Sequence, residues 1–258
     1  MSSVPSSADL AGHLVSSHLA GVVATPARSC VVNCQKMVAG DPDYTFGLSD
    51  WKDATYDDAV AALRACGVTL AEDPSGTAFV DPHVAMAAIE RHRAHLGAIA
   101  AGQGRVLIAT GHAFAFLSHY QAIADALRAA GCEILEPLEG RHRQFLTKSG
   151  DPASIRYFGG IASLVLHGCL EHTHRPDYME ALLDEARRTG PVDAVIGDHG
   201  FAGAGVEAGI LTLSIADVND PALPLAQAHG RTDGVLVVDD GLVPAVYEPL
   251  TAFMLADV

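Results

Sequence analysis

A series of short aliphatic runs in the second part of the chain constrains the fold more than any other feature. After Arg105 the runs are RVLIAT, CEILEPL, VDAVIGD, ILTLSIAD and GVLVVDD, and helical stretches separate most of them. Near-continuous apolar strands that alternate with helices are typical of a parallel sheet covered on both faces. We therefore predict an α/β fold with a Rossmann-like layered parallel sheet over 104–258 and helices over 118–130, 176–189 and 221–229. The segment SIRYFGGIASLVLHGCLEHTH fits either a hairpin or a further strand.

Residues 1–103 are predicted to form a mainly helical region packed on this core. The segment DPHVAMAAIERHRAHLGAIAAG has an Asp cap, a proline at the first helical position and a glycine at its end, as helices favour. The turn-rich segment CQKMVAGDPDYTFGLSDW carries aromatic side chains that could cover a pocket. The two parts are expected to make one compact unit, with the N-terminal part serving as a lid or as a separate domain.

Composition limits the classes of function. The chain has 31 acidic and 16 basic residues and a net charge of −15, which argues against nucleic-acid binding because such proteins present basic surfaces to phosphates. We expect no membrane span, because no window approaches eighteen apolar residues. The N-terminal segment lacks the pattern of an export signal, and five cysteines without a C-x-x-C pair favour a cytoplasmic location.

Polar residues follow nearly every predicted strand. In an open parallel sheet, ligands bind outside the carboxyl ends of the strands, where these residues would converge. They are Thr110, Gly111 and His112; Glu136, Glu139 and Gly140; Asp198 and His199; Asp217, Asn219 and Asp220; and Asp239 and Asp240.

The acids of this set have two interpretations. Asp217, Asn219 and Asp220 are oxygen donors of the kind that Mg²⁺, Mn²⁺ or Ca²⁺ prefers. Alternatively, Asn219 or Asp220 caps a helix that begins at Pro221. Asp198 either binds a metal or holds its turn through backbone amides, and His199 is a candidate general acid or base.

Three histidines lie in the segment HGCLEHTHRPDY. His172 and His174 are two residues apart, so on a strand they would point the same way as possible partners of one ligand. A helix predicted near Pro176 would favour an anion at its start. A zinc site is an option, although the spacing matches no zinc signature, and the structural alternative is a polar hairpin that includes His167.

Several motifs resemble a family of actinobacterial proteins labelled "phosphatase". They are LIATGHAFAFLSHYQAIADALRAAGCEI, LHGCLEHTH, GDHGFAGAGVEAG, ADVNDPALPLAQAHG, VVDDGLVPAVYEPLTAFML and, near the N-terminus, KMVAGDPDYTFGL. The resemblance spans most of the chain and implies a phosphate-ester hydrolase that acts on a small metabolite. Two stretches differ from the family pattern, Ala113–Phe116 after TGH and Arg175–Asp177 after HTH. A more distant resemblance is to metal-dependent phosphatases of the DUF89 type and to the D-glutamate cyclase-like fold.

The resemblance implies a set of site residues at matching positions: Thr110, Gly111, His112, Glu139, Gly140, His167, His172, Thr173, His174, Asp198, His199, Gly200, Asp217, Asn219, Asp220 and Asp239. The hypothesis is a metal-dependent phosphomonoesterase acting on a small sugar, nucleotide or amino-acid-derived phosphate. Mg²⁺ or Mn²⁺ would be bound by Asp198, Asn219 and Asp220, with Asp217 or Asp239 assisting.

In this hypothesis the phosphate contacts the residues at Thr110–His112, at Glu139 and Gly140, and at His167 and Thr173. Asp198, His172, His174 and His199 are the predicted catalytic residues, and His199 or His174 protonates the leaving group. The alternatives are a lyase or cyclase that uses the same metal on an amino or hydroxy acid, and a non-catalytic metabolite-binding protein. Self-association is left open.

Overall fold

A mixed nine-stranded sheet forms the centre of the computed structural model, which describes residues 4–71, 73, 75–139 and 145–258. The helices are α1 Ser7–Ser16, α2 Ala27–Val38, α3 Pro42–Thr45, α4 Tyr56–Ala65, α5 Pro82–Ala101, α6 Ala113–Ala129, α7 Asp177–Ala186, α8 His199–Glu207, α9 Ala222–Ala228 and α10 Glu248–Met254, with 3₁₀ turns at Asp50–Asp53 and Pro244–Tyr247. The strands are β1 Gly21–Pro26, β2 Val68–Thr69, β3 Thr77–Val80, β4 Arg105–Thr110, β5 Glu133–Ile134, β6 Phe145–Leu146, β7 Pro152–Phe158, β8 Ile161–Leu166, β9 Cys169–Leu170, β10 Ala194–Asp198, β11 Leu211–Ala216 and β12 Val235–Val237.

The large sheet has the strand order β12-β11-β10-β4-β8-β7-β6, with β5 beside β4 and β9 beside β8. Strands β4, β5, β8, β10, β11 and β12 are parallel. The segment that fitted either a hairpin or a strand forms β7, β8 and β9, which pair antiparallel. The predicted α/β class with a mainly parallel sheet is therefore confirmed.

The crevice between β4 and β10 is the point where the strand order reverses. From β4 the chain passes through α6 to β5 on one side of β4, whereas β10 pairs with the other side. Such a switch point opens a crevice at the carboxyl ends of the two strands, and ligands of open α/β sheets bind there. The loops that follow β4 and β10 meet at this place.

The N-terminal part contains α1 to α5 and a small antiparallel sheet of order β1-β3-β2. The predicted cap of α5 is confirmed, because the Asp81 side chain accepts a hydrogen bond from the His83 amide. One cluster of buried apolar side chains includes Leu10 and Ile89 from this part and Leu236 and Leu250 from the other. The proposed boundary between 1–103 and 104–258 stays a prediction. In the described part of the chain, no helix has the length and hydropathy needed to cross a bilayer.

The glycine-rich segment after β10 is a helix, α8, and not the turn that its composition indicates. Its glycines let other backbone segments approach closely. A Cβ on Gly203 would lie 2.0 Å from the carbonyl oxygen of Phe46, and one on Gly200 would lie 2.2 Å from that of His174. Close tertiary packing therefore offsets the low helix propensity of glycine here.

Gly203→Ala is expected to destabilise the protein by about 3 kcal/mol, because the added methyl group displaces the Phe46 backbone. Gly12→Ala is the matched control, since Gly12 also lies within a helix but a Cβ there would contact nothing within 4 Å. We expect that control to stabilise the protein by about 0.5–1 kcal/mol. Chemical denaturation of both variants measures the difference, and equal stabilities would contradict the packing argument.

Candidate functional site

Four histidine rings form one cluster at the carboxyl end of the sheet. His112 follows β4, His172 and His174 follow β9, and His199 follows β10. The rings of His112 and His172 stack with centroids 4.6 Å apart, as do those of His174 and His199. His172 also lies 4.9 Å from His174 and 5.0 Å from His199 between ring centroids. Histidines distant in sequence thus converge on one rim of the sheet.

Asp198 lies beneath the cluster and is fully buried. Its Oδ2 accepts a hydrogen bond from the Thr110 hydroxyl at 2.6 Å. Its Oδ1 accepts from the Gly111 amide at 2.7 Å and lies 2.9 Å from Nδ1 of His199. Because a carboxylate only accepts, the Nδ1–H of His199 donates to it, and Asp198 orients this ring. The carboxylate therefore has three donors and acts as a support for the loops after β4 and β10.

The backbone at His199 has a left-handed conformation, with φ of 46°. Positive φ is uncommon for a residue other than glycine and is found most often at functional sites. The residue stands at the junction of β10 and α8, and its side chain is 3 % exposed. The sharp turn places the imidazole at the end of the sheet rather than along the helix.

Two other rings have oxygen partners on Nδ1. Nδ1 of His112 lies 3.1 Å from Oδ2 of Asp240, and Nδ1 of His174 lies 2.8 Å from the backbone oxygen of Asp43. Histidines that bind metals usually donate their second ring N–H to a carboxylate or a carbonyl, which fixes the tautomer and leaves the other nitrogen free. His112, His174 and His199 all have this arrangement.

Carboxylates surround the free nitrogen of His199. Oδ2 of Asp220 lies 3.6 Å from Nε2, and Oδ2 of Asp240 lies 3.5 Å from it. Burial opposes a charge on His199, but the hydrogen bond to Asp198 and the charges of the three aspartates together raise the pKa of the imidazole to about 10. In the protein alone His199 is therefore an imidazolium held among carboxylates.

The acids repel one another. Burial, Asp240 and Asp220 raise the pKa of Asp217 well above its usual range. Burial raises the pKa of Asp220 to about 7, against the opposing effect of His199. Asp240 differs, because its hydrogen bond with His112 and the charge of His199 outweigh burial and lower its pKa. This group of acids favours a cation at its centre.

His172 and His174 are neutral near pH 7. Desolvation by the surrounding groups and the charge of the neighbouring His199 together lower the pKa of each to about 4. Neutral imidazoles are the form that binds metals. Among the described residues, His112, His172 and His199 each offer one ring nitrogen within 4.8 Å of the others, a separation that one metal ion could bridge.

Only some of the predicted metal ligands lie near the histidine cluster. Asp220 lies at the cluster, 3.6 Å from His199 Nε2, and Oδ1 of Asp217 accepts a hydrogen bond from the Asp240 amide at 3.4 Å. Oδ1 of Asn219 instead accepts a hydrogen bond from Asn33 at 2.7 Å. The carboxylate of Asp239 accepts from the amides of Ala24 and Gly241. Neither group points its oxygens at the histidines. Helix α9 begins without a side-chain cap, so the capping alternative does not describe Asn219 or Asp220 either.

The predicted phosphate-binding residues likewise do not form one group in the structure. The Gly111 amide is bonded to Asp198, and the His112 amide donates to the Thr110 hydroxyl at 3.0 Å. Thr173 is buried, and its hydroxyl accepts from the Arg175 amide. His167 is exposed in the turn between β8 and β9, and Glu139 is exposed after β5. Gly140 lies outside the described residues.

Sequence reasoning missed two partners of the histidines. Asp240 was noted at a strand end, but Asp239 was chosen in its place, and no pattern indicates which of two adjacent acids in a loop faces the site. Asp43 acts through its backbone oxygen, so its side-chain type gives no signal. The resemblance of the motif KMVAGDPDYTFGL, which contains Asp43, was the available indication that this segment belongs to the site.

A cleft of about 500 Å³ opens beside the histidines. His172 and His174 line one side, and the turn after β6 and the start of α3 line the others. Phe46 packs edge-on against His174 and His199, with ring centroids 5.3 and 5.5 Å away. The N-terminal part therefore forms part of the wall of the site.

Two comparisons with known proteins cover both parts of the chain. The model of a family described as "Phosphatase" matches residues 5–258. The protein Phosphatase SCO2771 from Streptomyces coelicolor is 37% identical over 262 residues, an alignment that covers 98% of this chain and 96% of that protein. The chain belongs to the Phosphatase family.

Proposed function

We propose that the protein is a metal-dependent phosphomonoesterase that hydrolyses a small phosphorylated metabolite at the histidine cluster. Membership of the Phosphatase family supports hydrolysis of a phosphate ester. The observation that carries the metal-dependent mechanism is the set of three ring nitrogens, from His112, His172 and His199, within 4.8 Å of one another. An odd number of cysteines without C-x-x-C pairs fits a cytoplasmic location, which we include in the proposal.

The donor set fits a transition-metal dication. His112, His172 and His199 would bind it through imidazole nitrogens, with Asp240 and Asp220 close to His199. Imidazole suits zinc and other transition metals, whereas Mg²⁺ prefers oxygen ligands. We therefore propose Mn²⁺ or Zn²⁺ in place of Mg²⁺. Asp198 and the carbonyl of Asp43 orient rings instead of binding the cation.

When bound, the cation supplies Lewis-acid stabilisation of the phosphoryl oxygens. The chain contributes positioning and charge, which dominate catalysis of phosphoryl transfer. Helix α6 starts at Ala113, directly after His112, and its amino end favours an anion by virtue of the helix dipole. The phosphate would therefore lie between this helix start and the histidines.

His174 is the proposed proton acceptor for the attacking water. It lines the cleft, it is neutral near pH 7, and its Nδ1–H is donated to the Asp43 oxygen, so Nε2 is free to accept. The same facts argue against His174 as the acid that protonates the leaving group. His199 is almost fully buried and loses its proton when it binds the cation, so it too is poorly placed for that role.

Phosphate release from a panel of phosphorylated metabolites tests the proposal. Protein stripped with EDTA should lose activity, and Mn²⁺ or Zn²⁺ should restore it by about 100-fold or more, because Lewis-acid stabilisation is worth several kcal/mol. Hydrolysis that persists after stripping would contradict metal dependence. Thermal stabilisation by a phosphorylated compound without turnover under any cation would favour a non-catalytic metabolite-binding protein.

Metal affinity is expected to rise with pH. Because the pKa of His199 is about 10 in the metal-free protein, each cation must displace one proton from this ring at neutral pH. The association constant should therefore increase by about tenfold per pH unit between pH 7 and pH 9. Calorimetric titrations in non-coordinating buffers measure this slope, and an affinity independent of pH would remove His199 from the ligand set.

A further inference from the structure

The cleft beside the histidines has an apolar floor and polar walls. Leu164 and Leu166 lie on the floor, and the hydroxyls of Thr147 and Ser149 lie on the wall formed by the turn between β6 and β7. Tyr44 lies on the opposite wall, where its hydroxyl accepts a hydrogen bond from Lys36 at 2.9 Å. A ligand in this cleft would contact hydroxyl groups and aliphatic carbon, and it would adjoin His172 and His174.

Two cations of the described residues line the cleft, and both are already paired. Lys148 forms an ion pair with the carboxylate of Asp43. Nε and Nη2 of Arg175 donate to the carboxylate of Asp177 at 2.8 and 2.6 Å, and Nη1 donates to the backbone oxygen of Leu146 at 2.6 Å. An added anion would therefore have to compete with Asp43 for Lys148 or with Asp177 for Arg175.

One acid in the cleft has no ion-pair partner among the residues that the structure describes. Glu171 follows β9, lines the cleft and is half-buried. Within the described ranges it forms no ion pair. The described charges that line the cleft are two negative and two positive, but Lys148 pairs with Asp43 and Arg175 with Asp177 outside the lining, so neither cation neutralises Glu171. An anionic group placed here would meet a carboxylate that no described cation neutralises. A neutral hydroxylated group could donate to the oxygens of Thr147 and Ser149, whose hydroxyl hydrogens are already used, and could accept from the Tyr44 hydroxyl.

We propose that this cleft binds the alcohol part of the phosphomonoester and selects substrates whose alcohol part is hydroxylated and has no second anionic group. This inference rests on the proposed function, since it assigns the leaving group of that reaction to the cleft. Glu171 is the specificity-determining residue, because its charge, which no described cation neutralises, repels a carboxylate or a second phosphate.

Two matched pairs of esters test the selection. Glycerol 3-phosphate and 3-phosphoglycerate differ only in a hydroxymethyl or a carboxylate group at the far carbon. Sorbitol 6-phosphate and 6-phosphogluconate differ in the same way on a longer open chain. With Mn²⁺-loaded protein, kcat/KM should favour the neutral ester by about tenfold or more in each pair. Glu171→Gln should reduce that ratio to about threefold or less, since it removes the charge and keeps the shape. Asp184→Asn removes an exposed carboxylate of α7 that does not line the cleft, and it should keep the wild-type ratio.

The outcomes separate the two proposals. Hydrolysis of both members of each pair at equal rates, or a preference for the carboxylate ester, would overturn the selection while leaving the phosphatase intact. A wild-type preference that Glu171→Gln does not change would remove the assigned role of Glu171. Failure to hydrolyse these esters or p-nitrophenyl phosphate with any cation would overturn the proposed function itself.

Discussion

His172→Ala is expected to weaken metal binding by more than about 100-fold and to abolish metal-dependent hydrolysis, with little change in the stability of the metal-free protein. Loss of an outer-shell partner of a metal ligand typically costs about 10- to 100-fold in affinity or activity, so loss of a ligand should cost more. His172 is exposed and contacts other residues through ring packing. Its removal therefore leaves no buried polar group without a partner.

Calorimetric titration with Mn²⁺ or Zn²⁺, kcat/KM and thermal denaturation of the metal-free protein measure the three effects. His167→Ala is the matched control, because His167 is an exposed histidine five positions earlier in the same hairpin and lies outside the cluster. We expect that variant to behave as the wild type. Normal metal binding by His172→Ala, or an equal loss in His167→Ala, would contradict the assigned ligand set.

The strand ends of the sheet were predictable because the local sequence of each strand specifies them. Strands β4, β10 and β11 are buried at almost every position, and such strands are mainly apolar in sequence. The rule that ligands bind at the carboxyl ends then correctly brings His112 and His199 to one place. The antiparallel edge was harder to assign, because the segment over 154–174 mixes apolar, polar and glycine residues.

The identity of the side chains that face the histidine cluster was not predictable, because it depends on differences of a single position. Asn219 adjoins Asp220 in sequence, but its oxygen bonds to Asn33 in the N-terminal part while Asp220 lies near His199. The order of Asp239 and Asp240 poses the same problem, since loops have no side-chain periodicity that assigns a face. Long-range partners in residues 1–103 decide both cases, and a single sequence does not reveal them.

For Asp198, the sequence does not distinguish a residue that binds a cation from a residue that orients such a ligand. The sequence favoured it as a metal ligand, because it follows a buried strand and precedes a histidine. In the structure both of its oxygens already accept hydrogen bonds, from Thr110, Gly111 and His199. A carboxylate in this position orients the His199 ring and stabilises the fold. Removal of its charge should therefore affect both the orientation of the ring and the stability of the protein.

Asp198→Asn is expected to destabilise the metal-free protein by about 3–5 kcal/mol, because one partner of a buried ion pair loses its charge. The new amide also places an N–H group where one of three donors now points. Metal affinity should fall by about 10- to 100-fold, as for other outer-shell partners. Denaturation of the metal-free variant and metal titration measure the two effects separately.

The loss of stability should depend on pH. The pKa of His199 is raised to about 10, with the hydrogen bond to Asp198 the largest of the effects that raise it. Stability gained from a raised pKa is fully present below the ordinary histidine pKa, near 6.5, and is lost as the pH rises through about 10. The difference between wild type and Asp198→Asn should therefore be larger at pH 6 than at pH 10.

Asp81→Asn is the control, because Asp81 caps α5 through its Oδ1 at the surface and asparagine caps helices equally well. We expect it to change stability by less than about 0.5 kcal/mol. If Asp198→Asn instead keeps the wild-type stability at every pH and binds no metal, Asp198 is a direct ligand. The cation then lies deeper in the crevice between β4 and β10 than the three histidines place it.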